Sequence, residues 1–138
     1  MDIEYALIAD HADIASGKLY LAGGGWDQTY SQVVPARVQM GIAVGVRVGW
    51  EETNTQIPVQ VIIEDDDAQQ LVRVDGGVQV GRPAGLPAGS AQLAQVAMNL
   101  PVALPAFGGY RVRITAGSAE KERVVTRPFR LVERPQGR

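Results

Sequence analysis

The sequence predicts a domain built mainly of β-strands, an all-β two-sheet antiparallel β-sandwich of immunoglobulin-like or C2-like type with about eight strands. Apolar residues alternate with small or polar ones in several runs, and residues 37–49 form the longest of them. This period of two is typical of strands that bury one face. Clusters of glycine, proline, aspartate and serine interrupt the runs so often that little room is left for helices.

The first element is an N-terminal hairpin. Residues 5–14 and 19–23 are the two predicted strands, and Ser16-Gly17 joins them. Glycine reaches the positive φ that such short turns require at no steric cost, so Gly17 marks the turn.

The long strand at residues 37–49 has two different faces. Its even positions are apolar, whereas Gly41, Ala43 and Gly45 leave the opposite face almost free of side chains. A glycine-rich strand face permits a close approach, which we interpret as packing of the protein's own backbone or of a loop.

The remaining strands follow from the same alternation at residues 57–63, 96–100, 110–115 and 129–131. Residues 81–89, with two prolines and three glycines, suit a crossing from one sheet to the other. The residues predicted to lie mostly in the core are Val38, Met40, Ile42, Val44, Val46, Val61, Val96, Met98, Val112, Ile114 and Phe129.

Length and composition indicate one domain at residues 1–134, with a tail at residues 135–138. The chain has no cysteine, which excludes disulfides, thiolate zinc sites and cysteine nucleophiles. We expect a cytoplasmic protein, because the sequence has neither a signal-peptide pattern nor an apolar run long enough for a membrane span. A net charge of -2 gives no reason to expect a nucleic-acid partner, because proteins that bind nucleic acids usually carry an excess of basic residues.

Charge is distributed unevenly along the chain. Residues 1–75 contain 12 acidic and 4 basic residues, whereas residues 76–138 contain 3 acidic and 9 basic residues. One interpretation is that acidic and basic strands become neighbours in the fold and neutralise each other.

A second interpretation of this charge is self-association, most simply as a homodimer, or binding of another protein. If sequential strands pair, arginines from both are expected on one exposed face, where like charges need a negative partner. The negative partner is expected to be a nearby glutamate, an acidic strand of the same chain, the acidic half of a second copy or an anionic protein. The candidate residues are Arg111, Arg113, Arg123 and Arg127.

Catalytic patterns are weak in this sequence. His11 is the only imidazole, and neither Ser90 nor Ser118 lies in the Gly-x-Ser-x-Gly pattern of a nucleophile elbow. No phosphate-binding glycine motif is present, and no cofactor is predicted. An enzyme of unrecognised type using His11 and nearby carboxylates stays an alternative, but a protein without catalysis is the main prediction.

Two acidic segments carry the side-chain types that ligate metals. On a strand, Asp10 would face away from His11 and Asp13, so we interpret them as hairpin residues rather than as a metal site. An acidic run at the end of a strand is compatible with a calcium-regulated sandwich, yet it is more often a solvated turn. The run consists of Glu64, Asp65, Asp66 and Asp67.

Both tryptophans lie where loops begin. Trp26 and Asp27 follow three glycines, and Trp50 ends the long strand. An indole at such a position either covers one end of the core or anchors a partner. We therefore list these three residues as candidate binding residues.

Several segments together resemble a family of small, uncharacterised bacterial proteins, a domain of unknown function. Their shared motifs are turn glycines, prolines and aromatic residues, so the resemblance implies a fold and no particular chemistry. With the loops of a sandwich as natural recognition surfaces, the sequence predicts a non-catalytic protein-binding or assembly module. The segments are residues 5–13, 17–27, 49–54, 81–89, 109–112 and 128–131.

Overall fold

The computed structural model describes residues 1–135, and within this part of the chain it contains nine strands and two short 3-10 turns. The turns are Trp50–Glu52 and Ala119–Lys121. The strands are β1 (Asp2–Ala15), β2 (Lys18–Gly24), β3 (Gln28–Ser31), β4 (Ala36–Val48), β5 (Ile57–Asp65), β6 (Gln70–Val78), β7 (Gln92–Leu104), β8 (Gly108–Ala116) and β9 (Arg123–Glu133).

The strands form two sheets. Sheet A has the order β2-β1-β4-β7, and sheet B has the order β3-β9-β8-β5-β6. All neighbouring pairs are antiparallel except β3 and β9, which run parallel. The predicted all-β class with two sheets is confirmed, with one strand more than expected and with sheet B mixed rather than purely antiparallel.

A single hydrophobic core lies between the sheets and contains residues of both. Eight of the eleven predicted core side chains are buried. Val38, Val96 and Met98 are half-buried and pack against this core; Val96 and Met98 lie on β7, the last strand of its sheet, and Val38 pairs with Val102 of the same strand. The prediction that the eleven side chains lie mostly in the core is confirmed.

The N-terminal hairpin is confirmed. Ser16 and Gly17 connect β1 and β2 with φ values of 51° and 72°, the positive pair that a two-residue hairpin loop needs. The outer part of this hairpin leans across sheet A, since a side-chain amide of β7 binds the hairpin turn: Gln95 Nε2 donates to Gly17 O at 2.8 Å.

The glycine-rich face of β4 is covered by the protein itself, as the sequence analysis expected. A Cβ atom at Gly41 would lie 2.8 Å from the backbone nitrogen of Ala12, and one at Gly45 would overlap the Tyr5 ring. Asn99 on β7 completes the contact, because its side chain accepts from Ala12 N–H and donates to Ala12 O, both at 2.9 Å.

Within residues 1–135, five connections cross between the sheets. Residues 79–91 lead from β6 in sheet B to β7 in sheet A, and they include the segment 81–89 that was predicted to cross. Residues 25–27 lead from β2 to β3 on the opposite side. No helix within residues 1–135 is long and apolar enough to cross a membrane.

Candidate functional site

The register between β8 and β9 divides the four candidate arginines into two pairs on opposite faces. Arg111 and Arg113 lie on the outer face of sheet B, whereas Arg123 and Arg127 share the face turned toward sheet A. The expectation of one common arginine face is wrong, because the register places odd-numbered residues of β8 opposite even-numbered residues of β9. The partners are Arg111 with Pro128, Arg113 with Thr126, Arg123 with Ala116 and Arg127 with Val112.

The outer pair shares one ion-pair partner within the chain, Glu64. This glutamate lies next to the last residue of β5, and its side chain is only 5% exposed. Arg111 Nε donates to Glu64 Oε1 at 2.7 Å, and Arg113 Nη2 lies 3.5 Å from Glu64 Oε2. The hydrogen bond to Glu64 raises the pKa of Arg111. An acidic strand of the same chain therefore supplies the negative partner that the arginines need.

The acidic run after Glu64 forms the turn between β5 and β6. Asp65 Oδ1 accepts the backbone N–H groups of Asp67 and Gln69, each at 2.9 Å. Asp66 lies against Gly109, where a Cβ atom would overlap its carboxylate. These contacts give the run a structural role in the turn.

The other ligand-type residues lie apart on the hairpin. His11 and Asp13 pair with Ala22 and Tyr20 of β2, and both are exposed. Asp10 lies against Gly23. Within residues 1–135 the structure brings together no group of three histidine or acidic side chains that could hold a metal ion.

Trp50 is engaged by a neighbouring loop. The Arg82 guanidinium lies 3.9 Å from the centre of the Trp50 ring and donates to Trp50 O at 2.9 Å. Its Nε also donates to Thr53 Oγ1 at 2.8 Å. A cation–π contact and two hydrogen bonds thus attach the 79–91 connection to the 3-10 turn, which gives Trp50 a structural partner.

Trp26 lies where the chain crosses from sheet A to sheet B. Gly25 N–H donates to Ile8 O at the edge of sheet A, and Asp27 O accepts from Arg130 N–H at the edge of sheet B. The indole packs edge-on against the buried Phe129 ring, with centroids 6.1 Å apart. Its Nε1–H is buried and has no acceptor among residues 1–135.

Trp26, Asp27 and Arg127 line one cleft on this side of the sandwich, which we call the side cleft. Its volume is about 290 Å³, and its walls are residues 6–8 of β1, residues 25–27 of the crossing, and Arg127 and Pro128 of β9. Three of the seven predicted binding residues therefore come together here.

Arg127 bridges the two sheets at the side cleft. Its Nε donates to Ala6 O at 3.0 Å, and its Nη1 lies 3.4 Å from Thr126 O. The exposed Asp27 carboxylate belongs to the same cleft. A cation, an anion and a tryptophan whose buried indole N–H has no partner among residues 1–135 thus line a space open to solvent.

Two half-edges of the sheets lack a second paired strand beside the side cleft. The pairing of β1 with β2 begins at Ala9, so Asp2–Ile8 pair with β4 only. The pairing of β9 with β3 includes only residues 130–133, so residues 123–129 pair with β8 only. Arg123 lies on this free half of β9, exposed, with Nη1 3.2 Å from Glu122 O.

Sequence reasoning did not identify Arg82 or Ala6 as partners of the candidate residues, nor the buried position of Glu64. Arg82 and Trp50 are 32 positions apart, and Ala6 and Arg127 are 121 positions apart. The only sequence signal for the Glu64 contacts was the opposite charge of the two halves of the chain, acidic in the first and basic in the second.

These observations define the class of the molecule: an all-β domain of two packed sheets with an open side cleft. A family comparison agrees with the resemblance drawn from the turn and aromatic motifs. The sequence profile of a family of unknown function, DUF6941, matches residues 4–127, so the chain belongs to this family. A comparison with curated proteins finds no match.

Proposed function

We propose that the protein is a non-catalytic protein-binding module and that the side cleft holds an extended peptide segment of a partner protein. The single observation that carries the proposal is the Trp26 indole N–H, which is buried at a residue of the cleft wall and lacks an acceptor among the described residues. A buried donor without a partner costs about 1–3 kcal/mol, and an incoming oxygen atom removes that cost.

The chemistry of the cleft favours a peptide backbone over a small anion. Arg127 supplies N–H donors, but Asp27 supplies a carboxylate in the same cleft, so the local charge is balanced. A peptide offers carbonyl acceptors and amide donors together, which matches this mixture. The volume of about 290 Å³ lies at the lower end for small-molecule pockets and suits one or two peptide side chains.

A role without catalysis is supported by the surroundings of the charged groups. The Glu64 carboxylate is engaged by two arginines, and Arg47 Nη2 lies 2.6 Å from Glu4 Oε1. His11 is exposed on the hairpin and lies outside the side cleft. A cytoplasmic location, expected from the sequence, is part of the proposal.

The test is selection from a displayed library of random peptides with the full chain as bait. Fluorescently labelled copies of the selected peptides are then titrated with the protein, and binding is followed by anisotropy. Trp26→Phe keeps an aromatic ring at the position but removes the N–H together with part of the indole, and Arg127→Ala removes the bridging guanidinium. We expect each change to weaken peptide binding about tenfold, the effect of losing one net hydrogen bond.

Arg73→Ala serves as the control because Arg73 is exposed on the outer face of sheet B, away from the side cleft. It should leave the affinity unchanged. Thermal unfolding of each variant shows whether the fold is retained. Selection of no peptide, or peptides that bind Trp26→Phe and Arg127→Ala as tightly as the unchanged protein, would overturn the proposal.

A further inference from the structure

We infer that two copies of this chain associate by antiparallel pairing of β7 with β7, which joins two A sheets into one continuous sheet. This inference rests on the opposite side of the sandwich from the side cleft and is independent of the proposed function. β7 is the last strand of sheet A, and over all 13 residues it pairs with β4 alone among the described strands.

The free edge of β7 has little of the protection that sheet edges carry. Natural edge strands are kept from pairing by charged residues, prolines, bulges or short length. β7 is 13 residues long, has no charged residue and no register shift against β4, and contains one proline, Pro101. The other edges are different: β2 contains Lys18, β6 contains Arg73 and Asp75, and β3 has four residues.

Contacts of β1, on the other side of β4, show to which side each residue of β7 directs its backbone N–H and C=O groups. Ala6 O and Ile8 O accept bonds on the side of β1 away from β4, so the odd-numbered residues of β1 direct their groups toward β4. Following the observed registers across β4, the even-numbered residues of β7 bond to β4 and the odd-numbered residues point outward.

Pro101 agrees with this assignment. It is odd-numbered, so its missing N–H falls on the free side and costs the β4 ladder nothing. The N–H groups of Gln95, Ala97 and Asn99 point outward in the middle of the strand. Within residues 1–135 no backbone partner is found for them.

The core is open along the same stretch. Val96, Met98 and Leu100 face sheet B but are only half-buried. They are therefore apolar groups next to free backbone donors and acceptors. A strand added at this edge would cover them and satisfy the backbone at the same time.

A second copy fits this edge better than an unrelated partner for two reasons. In a twofold antiparallel contact the strand meets itself, so any charge near its centre would face its own copy, and β7 has none. The contact also has the size of a weak self-association. A 13-residue strand is about 44 Å long, and one sheet layer about 10 Å thick then offers roughly 440 Å² per copy, or roughly 900 Å² in total, which is in the range of weak and transient interfaces.

The test is sedimentation velocity of the full chain across a range of concentrations, at low and at high salt. We expect a dimer that persists in high salt, because an uncharged interface is not screened. Ala97→Pro removes one outward N–H and leaves the β4 ladder intact. It should weaken the dimer at least tenfold while the circular dichroism of the monomer stays unchanged.

A second variant at the same position keeps the inference testable if the proline variant does not fold, and a matched control places the same charge on a different edge strand. Ala97→Lys adds a charge in the middle of β7 and should also weaken the dimer at least tenfold. Ala22→Lys places the same charge on β2, at the opposite edge, and should leave the dimer intact. A chain that stays monomeric at high concentration, or a dimer that survives both changes at Ala97, overturns the inference.

The effect of salt on the dimer distinguishes pairing through β7 from self-association through the arginines. A dimer that dissociates in high salt or on Arg113→Glu, but not on Ala97→Pro, assigns the interface to the arginines instead. Loss of peptide binding at the side cleft would not affect the β7 contact, so failure of either proposal is visible without the other.

Discussion

Gly41→Ala should destabilise the protein strongly although it adds a single methyl group. A Cβ atom at Gly41 would lie 2.8 Å from Ala12 N and His11 C and 2.9 Å from His11 Cα. All three are backbone atoms of β1, so no side chain can rotate away to make room. Either β4 and β1 move apart locally or the outer part of the hairpin lifts from the sheet.

Both responses lower the free energy of unfolding by a similar amount. Overpacking of a tight contact costs about 1–3 kcal/mol. Lifting of the hairpin instead breaks the two bonds between Asn99 and the Ala12 backbone, at about 1 kcal/mol each, together with the packing beneath them. The lower chain entropy of alanine in the unfolded state returns about 0.4–1 kcal/mol. We therefore expect the free energy of unfolding to fall by about 2 kcal/mol.

The assay is thermal and urea unfolding of the two proteins side by side. With an unfolding entropy of about 2.1 cal/mol/K per residue, a loss of 2 kcal/mol lowers the Tm of a 138-residue chain by about 7 °C. Gly76→Ala is the matched control, because a Cβ there would meet only Val59 O at 4.0 Å. This control should be neutral or slightly stabilising, and a Gly41→Ala protein as stable as the control would refute the packing argument.

Three further changes test other contacts. Glu64→Gln should lower the free energy of unfolding by about 1–3 kcal/mol, measured in urea, because a buried acceptor for two arginines loses its charge; an unchanged midpoint would contradict the structural role of Glu64. Burial acts to raise the pKa of Glu52, but bonds from the Met1 amino group and from Gly49 N–H outweigh it and hold the pKa below its ordinary value of 4.5. The folded state thus favours the carboxylate, so stability should decrease as the pH falls below about 4.5, and Glu52→Gln should flatten that decrease in an acid-unfolding series. Calcium at millimolar concentration should leave the Tm unmoved, since bound ions raise it by mass action, and a rise would support the calcium alternative.

Local patterns predicted the parts of the fold that depend on local chemistry. The even positions of β4 face the core, and all but Val38 are buried, because a period of two directs them to one face. The β1–β2 turn followed from Gly17, since positive φ is a property of the turn itself. The close approach at Gly41 and Gly45 was also predictable, because an absent side chain leaves space that a compact fold fills.

Features that depend on long-range register were not predictable. β3 has only four residues and pairs in parallel with β9, at the far end of the chain, so no local signal specifies it. The common face expected for the arginines failed for the same reason. The connection from β8 to β9 sets the register, and a shift by one residue exchanges the faces of a whole strand. For Val96 and Met98 the alternation was read correctly, but their incomplete burial depends on the position of β7 at the edge.

The arrangement of charge explains why the side cleft, and not the arginine-rich outer face, is the better candidate for binding. β5 brings Glu64 from the acidic half of the chain against Arg111 and Arg113 from the basic half, so both arginines on that face already have a carboxylate partner. Arg127 lies on the other face of the sheet, where its recorded hydrogen-bond partners are backbone carbonyls. No ion pair of Arg127 is found within residues 1–135, and its guanidinium lines an open cleft together with Trp26, whose buried indole N–H has no acceptor there. An incoming acceptor therefore meets a cation without an ion-pair partner at the side cleft, whereas Arg111 and Arg113 already share the Glu64 carboxylate.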